Sequence, residues 1–351
     1  MKNNRLFYIW VFCLSTLLVL VFPDHTQAYT SVHNEEFYQP PSDLSQYNRG
    51  DLLKWEEEPD MDASLTQYGN AYRIMYVSKG VAGDNVAVTG MVLIPSNTTE
   101  PLNAIVWAHG TVGVGDNCAP SKWPMLYPQY PWDGYVLPAS KILQNGYAAI
   151  APDYEGLGTP GLHPWNNHES AGNNIIDAVR AYRNLASVVG FSASTRWGVW
   201  GHSQGSMAAR AANVLANETA PELTFVGSVE VSGANNANIS ADFLENTLAK
   251  KTMVGRFRSD FRLFPFWGYG AVSIQATNLE FDVTTILGPL FLQNVEVAPG
   301  VSVPLYTLAA ELCFDDWMGI FLGQDPTPDL VRNPNYMSNS AVADWVLNAL
   351  S

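Results

Sequence analysis

Residues 196–216, RWGVWGHSQGSMAARAANVLA, constrain the fold of this chain more than any other stretch. They open with the apolar run of a buried strand and close with the alanine-rich periodicity of a helix. Between the two lies the turn GHSQG at 201–205, with Ser203 at its centre and a glycine at each end. Because glycine lets neighbouring backbone approach closely, the chain can pass from strand to helix within these few residues. The stretch therefore predicts a sheet built from strand–helix units.

The same alternation extends over most of the chain. Two neighbouring runs predict a hairpin, at 71–80 and 85–95. Further buried strands are predicted at 102–110, 146–158, 196–205 and 223–233. Helical periodicity covers 170–190 and 203–217. Strands that alternate with helices form a largely parallel sheet covered on both faces, and such sheets carry their active residues at the carboxyl ends of the strands.

Length and charge exclude several classes of function. With 351 residues, 47% of them apolar and 15% charged, the chain suits one globular domain with an insertion, or at most two domains. The formal net charge of −15 argues against nucleic acid as a partner and against anionic membrane surfaces. We expect no cofactor, no metal and no specific protein partner.

The first 28 residues have the layout of a signal peptide. Lys2 and Arg5 precede an apolar run at 6–22, and Ala28 offers a small residue at a cleavage site. An uncleaved membrane anchor is the alternative, because the apolar run is long. The signal peptide predicts a secreted protein, either extracellular or periplasmic.

Domain organisation follows from where the alternation begins and ends. Residues 29–233 are predicted to form the α/β core, in which 29–65 are a loop-rich leader that wraps the body. After Gly233 the strand–helix alternation stops, and 256–270 is crowded with aromatic residues. We expect residues 234–351 to form an inserted helical cap, or lid.

Ser203 is the candidate nucleophile of the chain. In a G-x-S-x-G turn the serine is strained and its hydroxyl projects from a helix N-terminus, whose dipole favours a developing oxyanion. Acyl transfer needs a second backbone donor, expected from the loop after the strand 102–110. Thr111 is the best placed residue there, and its backbone N–H would act together with that of Gln204 as the two oxyanion donors. The alternative is that this segment is an ordinary glycine-rich surface loop. His202 is expected to be structural, because the residue before such a serine points away from its oxygen.

Three stretches in this order resemble one family. They are HGT…DNCAPS from His109, DYEGLGTPGLHP from Asp153, and GHSQG, and they are similar to motifs of the secretory lipases, the lipase-A type of α/β-hydrolase. The resemblance covers roughly residues 40–345. It implies an α/β-hydrolase fold with a helical lid inserted after the sixth strand. It also implies an exported enzyme that acts on carboxylic esters, typically acylglycerols.

The resemblance also bears on two cysteines. From the residues alone, Cys118 and Cys313 are either a disulfide pair of an exported chain or two unrelated buried thiols. In the secretory lipases the cysteine of DNCAPS tends to bridge to the lid, and Cys313 is the available partner here. The resemblance thus implies a Cys118–Cys313 disulfide that ties the oxyanion loop to the cap.

The acid and the base of a catalytic triad are not identifiable in the sequence. The family continues beyond the lid with strands that bring an aspartate and then a histidine, whereas no histidine follows His202 here. The downstream acidic residues all lie in the predicted cap, and we assign none to the triad. His109 and His163 remain as substitute bases, with Asp116 or Asp153 as acid partners. We therefore expect a truncated chain without the last strands of the sheet, weakly active or inactive as written.

Three functions compete at this point. The leading interpretation is a secreted lipase or esterase that forms an acyl-enzyme on Ser203. Its substrate would be a lipid or small ester, and its cap would contact a lipid–water interface. A non-catalytic lipid- or ester-binding protein would keep the pocket and lack the base. An acyltransferase on the same fold would need the same triad, so the missing histidine counts equally against it.

Overall fold

The computed structural model describes residues 35–58, 65, 67–96, 101–122, 136–231, 265–278, 280, 282–285, 292, 294–298, 301–310 and 313. The predicted signal peptide at 1–28 and much of the predicted cap lie outside these residues. In the part of the chain that is described, no helix has the length and apolar character needed to cross a bilayer.

A seven-stranded mixed sheet forms the centre of the fold, in the strand order β1-β2-β3-β5-β4-β6-β7. Its strands are β1 (Leu52–Glu57), β2 (Gly69–Lys79), β3 (Asn85–Pro95), β4 (Leu102–Ala108), β5 (Ala148–Pro152), β6 (Ala193–His202) and β7 (Thr224–Val231). β1, β2, β3 and β5 pair antiparallel in succession. β5, β4, β6 and β7 pair parallel, and this half of the sheet leads into the Ser203 turn. The predicted α/β class is confirmed.

Helices cover both faces of this sheet. The α-helices of the described part are α1 (Val136–Gln144), α2 (His168–Val189), α3 (Gln204–Thr219) and α4 (Pro265–Thr277). Successive side chains of β4 point to opposite faces of the sheet and pack against different helices. Val106 packs in the core that contains α2 and α3, whereas Trp107 packs on the opposite face with Ile142 of α1. The two faces thus bury separate apolar cores on either side of the parallel half of the sheet.

The predicted loop-rich leader contains a strand. β1 pairs antiparallel with β2, and Glu58 continues this pairing by donating its backbone N–H to the carbonyl of Ala71 at 2.9 Å. The prediction of a loop is wrong over 52–57. Glu56 and Glu58 form ion pairs with Arg73 of β2, a residue that is itself buried. Two acidic residues of the predicted leader therefore neutralise a cation inside the fold.

The described part of 234–351 is not wholly helical. α4 fits the helical prediction, but β8 (Asn294–Ala298) and β9 (Val301–Pro304) form an antiparallel hairpin. The prediction of helix is wrong over these strands. Each is only five or four residues long, too short for a reliable alternation of apolar and polar positions. Residues 232–264 lie outside the described ranges.

β7 lies at one edge of the sheet, opposite the edge formed by β1. Within the described residues, β6 is its only strand partner. Val226 and Val229 of β7 are each 58% exposed, in contrast to the buried strands on the other side of β6. β7 is thus the edge strand of the described sheet.

The implied disulfide is present. Cys118 and Cys313 are bonded, with their α-carbons 5.2 Å apart. Cys118 lies in the loop after β4, and Cys313 also forms an isolated antiparallel bridge with Gly113 of that loop. The bond therefore fixes the segment after β9 to the loop that was expected to supply an oxyanion donor.

Replacing both cysteines with alanine removes a cross-link between positions 195 residues apart. The chain-entropy model assigns a loop of that length up to about 5 kcal/mol of the free energy of unfolding. We expect the double variant to unfold at a clearly lower urea concentration than the oxidised wild type. Wild-type protein treated with reductant is the control and should resemble the variant. Equal midpoints for the oxidised wild type and the variant would contradict this account of the cross-link.

Candidate active site

Ser203 stands where β6 becomes α3, in a conformation that non-glycine residues seldom adopt. Its φ is 53° and its ψ is −118°. A residue in such a region costs of order 1–3 kcal/mol and persists only where its surroundings impose it. The Ser203 N–H donates to the carbonyl of Val231 at 2.9 Å, and the Ser203 carbonyl accepts from the N–H of Ser206 at 3.0 Å. The strained turn is thus held by β7 on one side and by α3 on the other.

The two glycines of the turn leave no room for a side chain. A Cβ on Gly201 would overlap the carbonyl of Gly205, and a Cβ on Gly205 would overlap the carbonyl of Ala108 at the end of β4. In the sheet, Gly201 pairs directly with Ala108. These contacts explain why glycine stands on both sides of Ser203. They also bring the turn against the loop that begins after β4.

The Ser203 side chain is half-buried at the first turn of α3. Among the described residues, none forms a hydrogen bond with its hydroxyl. The first N–H groups of any helix lack acceptors within the helix, and they make its N-terminus favourable for negative charge. A free hydroxyl at this place suits attack on a carbonyl carbon, followed by stabilisation of the oxyanion that results.

Thr111 and Gln204, the two predicted oxyanion residues, are both buried beside this turn. Gln204 is the first residue of α3, and Thr111 follows the end of β4 by three positions. The Trp165 indole N–H donates to the Thr111 hydroxyl at 3.1 Å. The carbonyl of Trp165 in turn accepts from the hydroxyl of Ser273 of α4 at 2.7 Å. Thr111 is therefore linked through Trp165 to the helix of the predicted cap.

His109 directs its ring nitrogens at backbone carbonyls. Nδ1 lies 2.6 Å from the carbonyl oxygen of Gly110, and Nε2 lies 3.2 Å from that of Asp153. The ring is buried and packs on Tyr154, with 4.4 Å between the ring centroids. The Tyr154 hydroxyl donates back to the His109 carbonyl at 3.2 Å. His109 thereby joins the loops that follow β4 and β5.

His163 lies between Glu155 and Gln204. Its Nδ1 is 2.7 Å from the Glu155 carbonyl oxygen, and its Nε2 is 3.0 Å from the side-chain nitrogen of Gln204. Burial lowers the pKa of His163 from 6.5 to about 4, against a smaller opposite effect of the Glu155 hydrogen bond. The ring is therefore neutral near pH 7, and both of its nitrogens have partners other than Ser203.

The buried carboxyl group of Asp153 lies between β3 and the loop around Cys118. That group accepts from the Thr89 hydroxyl at 2.7 Å, from the Ser121 N–H at 2.9 Å and from the Ser121 hydroxyl. Burial raises the pKa of Asp153, an effect that these hydrogen bonds and the nearby His109 only partly offset. Asp153 thus fastens β3, β5 and the loop around Cys118 together.

The loop 153–165 is the part of this site that sequence reasoning undervalued. By composition it is only a turn-rich loop after a strand, yet His163 and Trp165 reach the two predicted oxyanion residues. Trp165 was missed altogether. The available signal was an aromatic and a histidine placed shortly after the carboxyl end of a buried strand. In the described residues, no group of three or more His, Cys, Asp or Glu side chains could hold a metal ion.

Sequence comparisons find similarity to secreted lipases. A profile of the family described as Secretory lipase matches residues 135–249. Lipase A of Arthroderma benhamiae is 29% identical over 209 residues, which cover 55% of this chain and 43% of that protein. A secreted triacylglycerol lipase of Malassezia furfur is 27% identical over 234 residues, covering 63% and 45%. Lipase 2 of Candida albicans is 26% identical over 227 residues, covering 62% and 48%. The chain spans about half the length of the curated relatives it matches.

Solved structures match the fold. Candida antarctica lipase A in its closed state superposes with a TM-score of 0.58 and 19% identity, over 73% of this chain and 56% of that one. The rice cell wall degrading esterase LipA from Xanthomonas oryzae gives a TM-score of 0.57 and 18% identity, over 87% and 80%. The profile match spans the Ser203 turn itself. Together with the sequence relatives, it shows that this part of the chain is similar to the secretory lipases.

Proposed function

We propose that this chain is an exported carboxylic ester hydrolase whose nucleophile is Ser203. The observation that carries the proposal is the strained backbone of Ser203, whose φ is 53° at the junction of strand and helix. Strained residues of this kind cluster at active sites, and a G-x-S-x-G turn exposes its serine hydroxyl in this conformation. Export through residues 1–28 and action on acylglycerols are supported by the similarity to secreted triacylglycerol lipases of Malassezia furfur.

The proposed reaction proceeds through an acyl-enzyme. The Ser203 oxygen attacks the ester carbonyl carbon, and the carbonyl oxygen becomes an oxyanion that the N–H groups of Thr111 and Gln204 stabilise. Collapse breaks the bond to the alkoxy oxygen, which leaves as the alcohol once it has taken up a proton. Water then attacks the acyl group and releases the carboxylic acid and the free serine.

The proton transfers are the weak step of this scheme. His109 and His163 hold their ring nitrogens against Gly110, Asp153, Glu155 and Gln204, so either would have to leave a partner to accept the serine proton. We therefore propose that the chain by itself acylates slowly. In a serine protease, loss of the histidine costs about 10⁶ in kcat, while the oxyanion hole and binding retain roughly 10³–10⁴ over water.

The same observation favours a second candidate function. A protein of this fold that has no base at its serine would bind lipids or esters without cleaving them. The two functions differ in whether Ser203 becomes covalently modified, and this is the quantity to measure.

A fluorophosphonate probe tests the nucleophile directly, because it modifies an activated serine irreversibly. We expect slow labelling of the wild type at Ser203, verified by peptide mass spectrometry after long incubation, and none of Ser203→Ala. Ser206→Ala is the matched control: the Ser206 hydroxyl is buried in the same turn and has no hydrogen-bond partner in the described structure. Its removal should leave labelling intact. Equal labelling of Ser203→Ala and wild type would assign the nucleophile elsewhere.

Substrate preference tests the weak proton transfer. An activated ester such as p-nitrophenyl butyrate has a leaving group that needs little protonation, so its turnover should far exceed that of a triglyceride. Titrimetric release of fatty acid and absorbance of p-nitrophenol measure the two rates, with Ser203→Ala as the blank. Triglyceride turnover near the enzymatic median of about 10 s⁻¹ would show that an effective base is present.

A further inference from the structure

A histidine that is distant in sequence lies beside the nucleophile turn. His163, in the loop after β5, contacts Gln204 across 41 residues of sequence. The His163 side chain is 2% exposed and that of Gln204 is 6% exposed, so this hydrogen bond is shielded from water. Gln204 is the residue after Ser203, and its N–H is one of the two proposed oxyanion donors.

Hydrogen-bond chemistry fixes the proton arrangement of this pair. A backbone carbonyl can only accept, so the Nδ1 that faces the Glu155 carbonyl must carry the proton of the ring. In a neutral imidazole the other nitrogen is then an acceptor. Gln204 must therefore donate from its amide nitrogen to Nε2 of His163. This assignment sets which way the Gln204 amide points.

The rest of the surroundings favour the same arrangement. Tyr154 stacks on His163 with an interplanar angle of 14°, and the side chain of Glu155 is directed instead at Ser170 and Val81. Burial and the nearby His109 both lower the pKa of His163, so the ring stays neutral and keeps its acceptor at neutral pH. The Gln204 Oε1 atom is buried without a hydrogen-bond partner in the described structure. Turning the amide would place this oxygen against the lone pair of His163 Nε2, so the bond to His163 opposes that turn.

We propose that His163 is a positioning residue for ester hydrolysis: its Nε2 acceptor holds the Gln204 side chain, and thereby the Gln204 N–H, in place for the oxyanion. The inference rests on the proposed function, since the oxyanion forms only if Ser203 attacks a carbonyl or phosphonyl centre. It gives a role to a histidine that is too fully engaged to act as the base. His163 acts through Gln204 and does not touch the reacting atoms.

Two substitutions separate the halves of the imidazole. His163→Asn retains a donor near the position of Nδ1 for the Glu155 carbonyl and loses the acceptor for Gln204. His163→Gln retains an acceptor near the position of Nε2 and loses the Nδ1 donor. A merely structural histidine would make both variants equally harmful, in proportion to their loss of thermal stability.

The test measures the second-order rate of fluorophosphonate labelling and the Tm of each variant. We expect His163→Asn to label at least roughly tenfold more slowly than wild type, because small displacements of catalytic groups reduce rates by large factors. His163→Gln should label much faster than His163→Asn, even if the Tm values of the two variants fall by the same amount. In a Gln204→Ala background, His163→Asn should have little further effect on labelling, because the contact through which it acts is gone.

The outcomes are distinguishable. Equal labelling rates for the Asn and Gln variants, or rates that follow Tm alone, would overturn the positioning role while the labelled wild type left Ser203 as nucleophile. A wild type that is not labelled at Ser203 would overturn the proposed function, and the positioning role with it. A His163→Asn effect of full size in the Gln204→Ala background would also contradict the proposed route through Gln204.

Discussion

One close approach of backbone to backbone supports the whole site. Gly205 at the start of α3 lies against the carbonyl groups of Ala108 and His109 at the end of β4, with no space for a Cβ. This contact sets how near α3 sits to the carboxyl end of the sheet. It forces the reversal at Ser203, and the hydrogen bonds of Ser203 to Val231 and Ser206 keep the strained backbone in that state. Contacts with the neighbouring strands β4 and β7 thus stabilise the strained turn at the end of β6, which exposes the Ser203 hydroxyl.

Buried polar contacts then hold the surrounding loops to this turn. Asp153 joins the loop after β5 to Ser121, and Arg73 of β2 donates to the Ser121 carbonyl at 3.0 Å. A buried polar group that loses its partner costs about 1–3 kcal/mol, so each of these bonds resists displacement of its loop. Two loops therefore approach the nucleophile turn in fixed positions, one through His163 and the other through Thr111. The disulfide at Cys118 adds a covalent tie to the segment after β9 that contains Cys313.

Much of this architecture could be predicted because its signal is local. Buried parallel strands appear as apolar runs, and the Ser203 turn appears as two glycines between a strand and a helix. β1 could not be predicted in this way, since its residues are mostly half-exposed and its ion pairs with Arg73 connect distant positions. The contacts of His163 with Gln204 and of Trp165 with Thr111 likewise depend on how two loops pack over the sheet. The cysteine pairing required a resemblance to a family, because two cysteines 195 residues apart carry no local signal of contact.

The central claim is that the close approach at Gly205 creates the reactive serine. Gly205→Ala tests it most directly, since the added methyl group must displace the backbone of β4. Gly270→Ala in α4 is the matched control, because a Cβ there meets no atom within 4 Å. The measurement is the rate of phosphonate labelling at Ser203, with circular dichroism to follow folding. We predict that Gly205→Ala loses labelling, or folding altogether, while Gly270→Ala labels as the wild type does. A folded Gly205→Ala that labels at the wild-type rate would contradict the account.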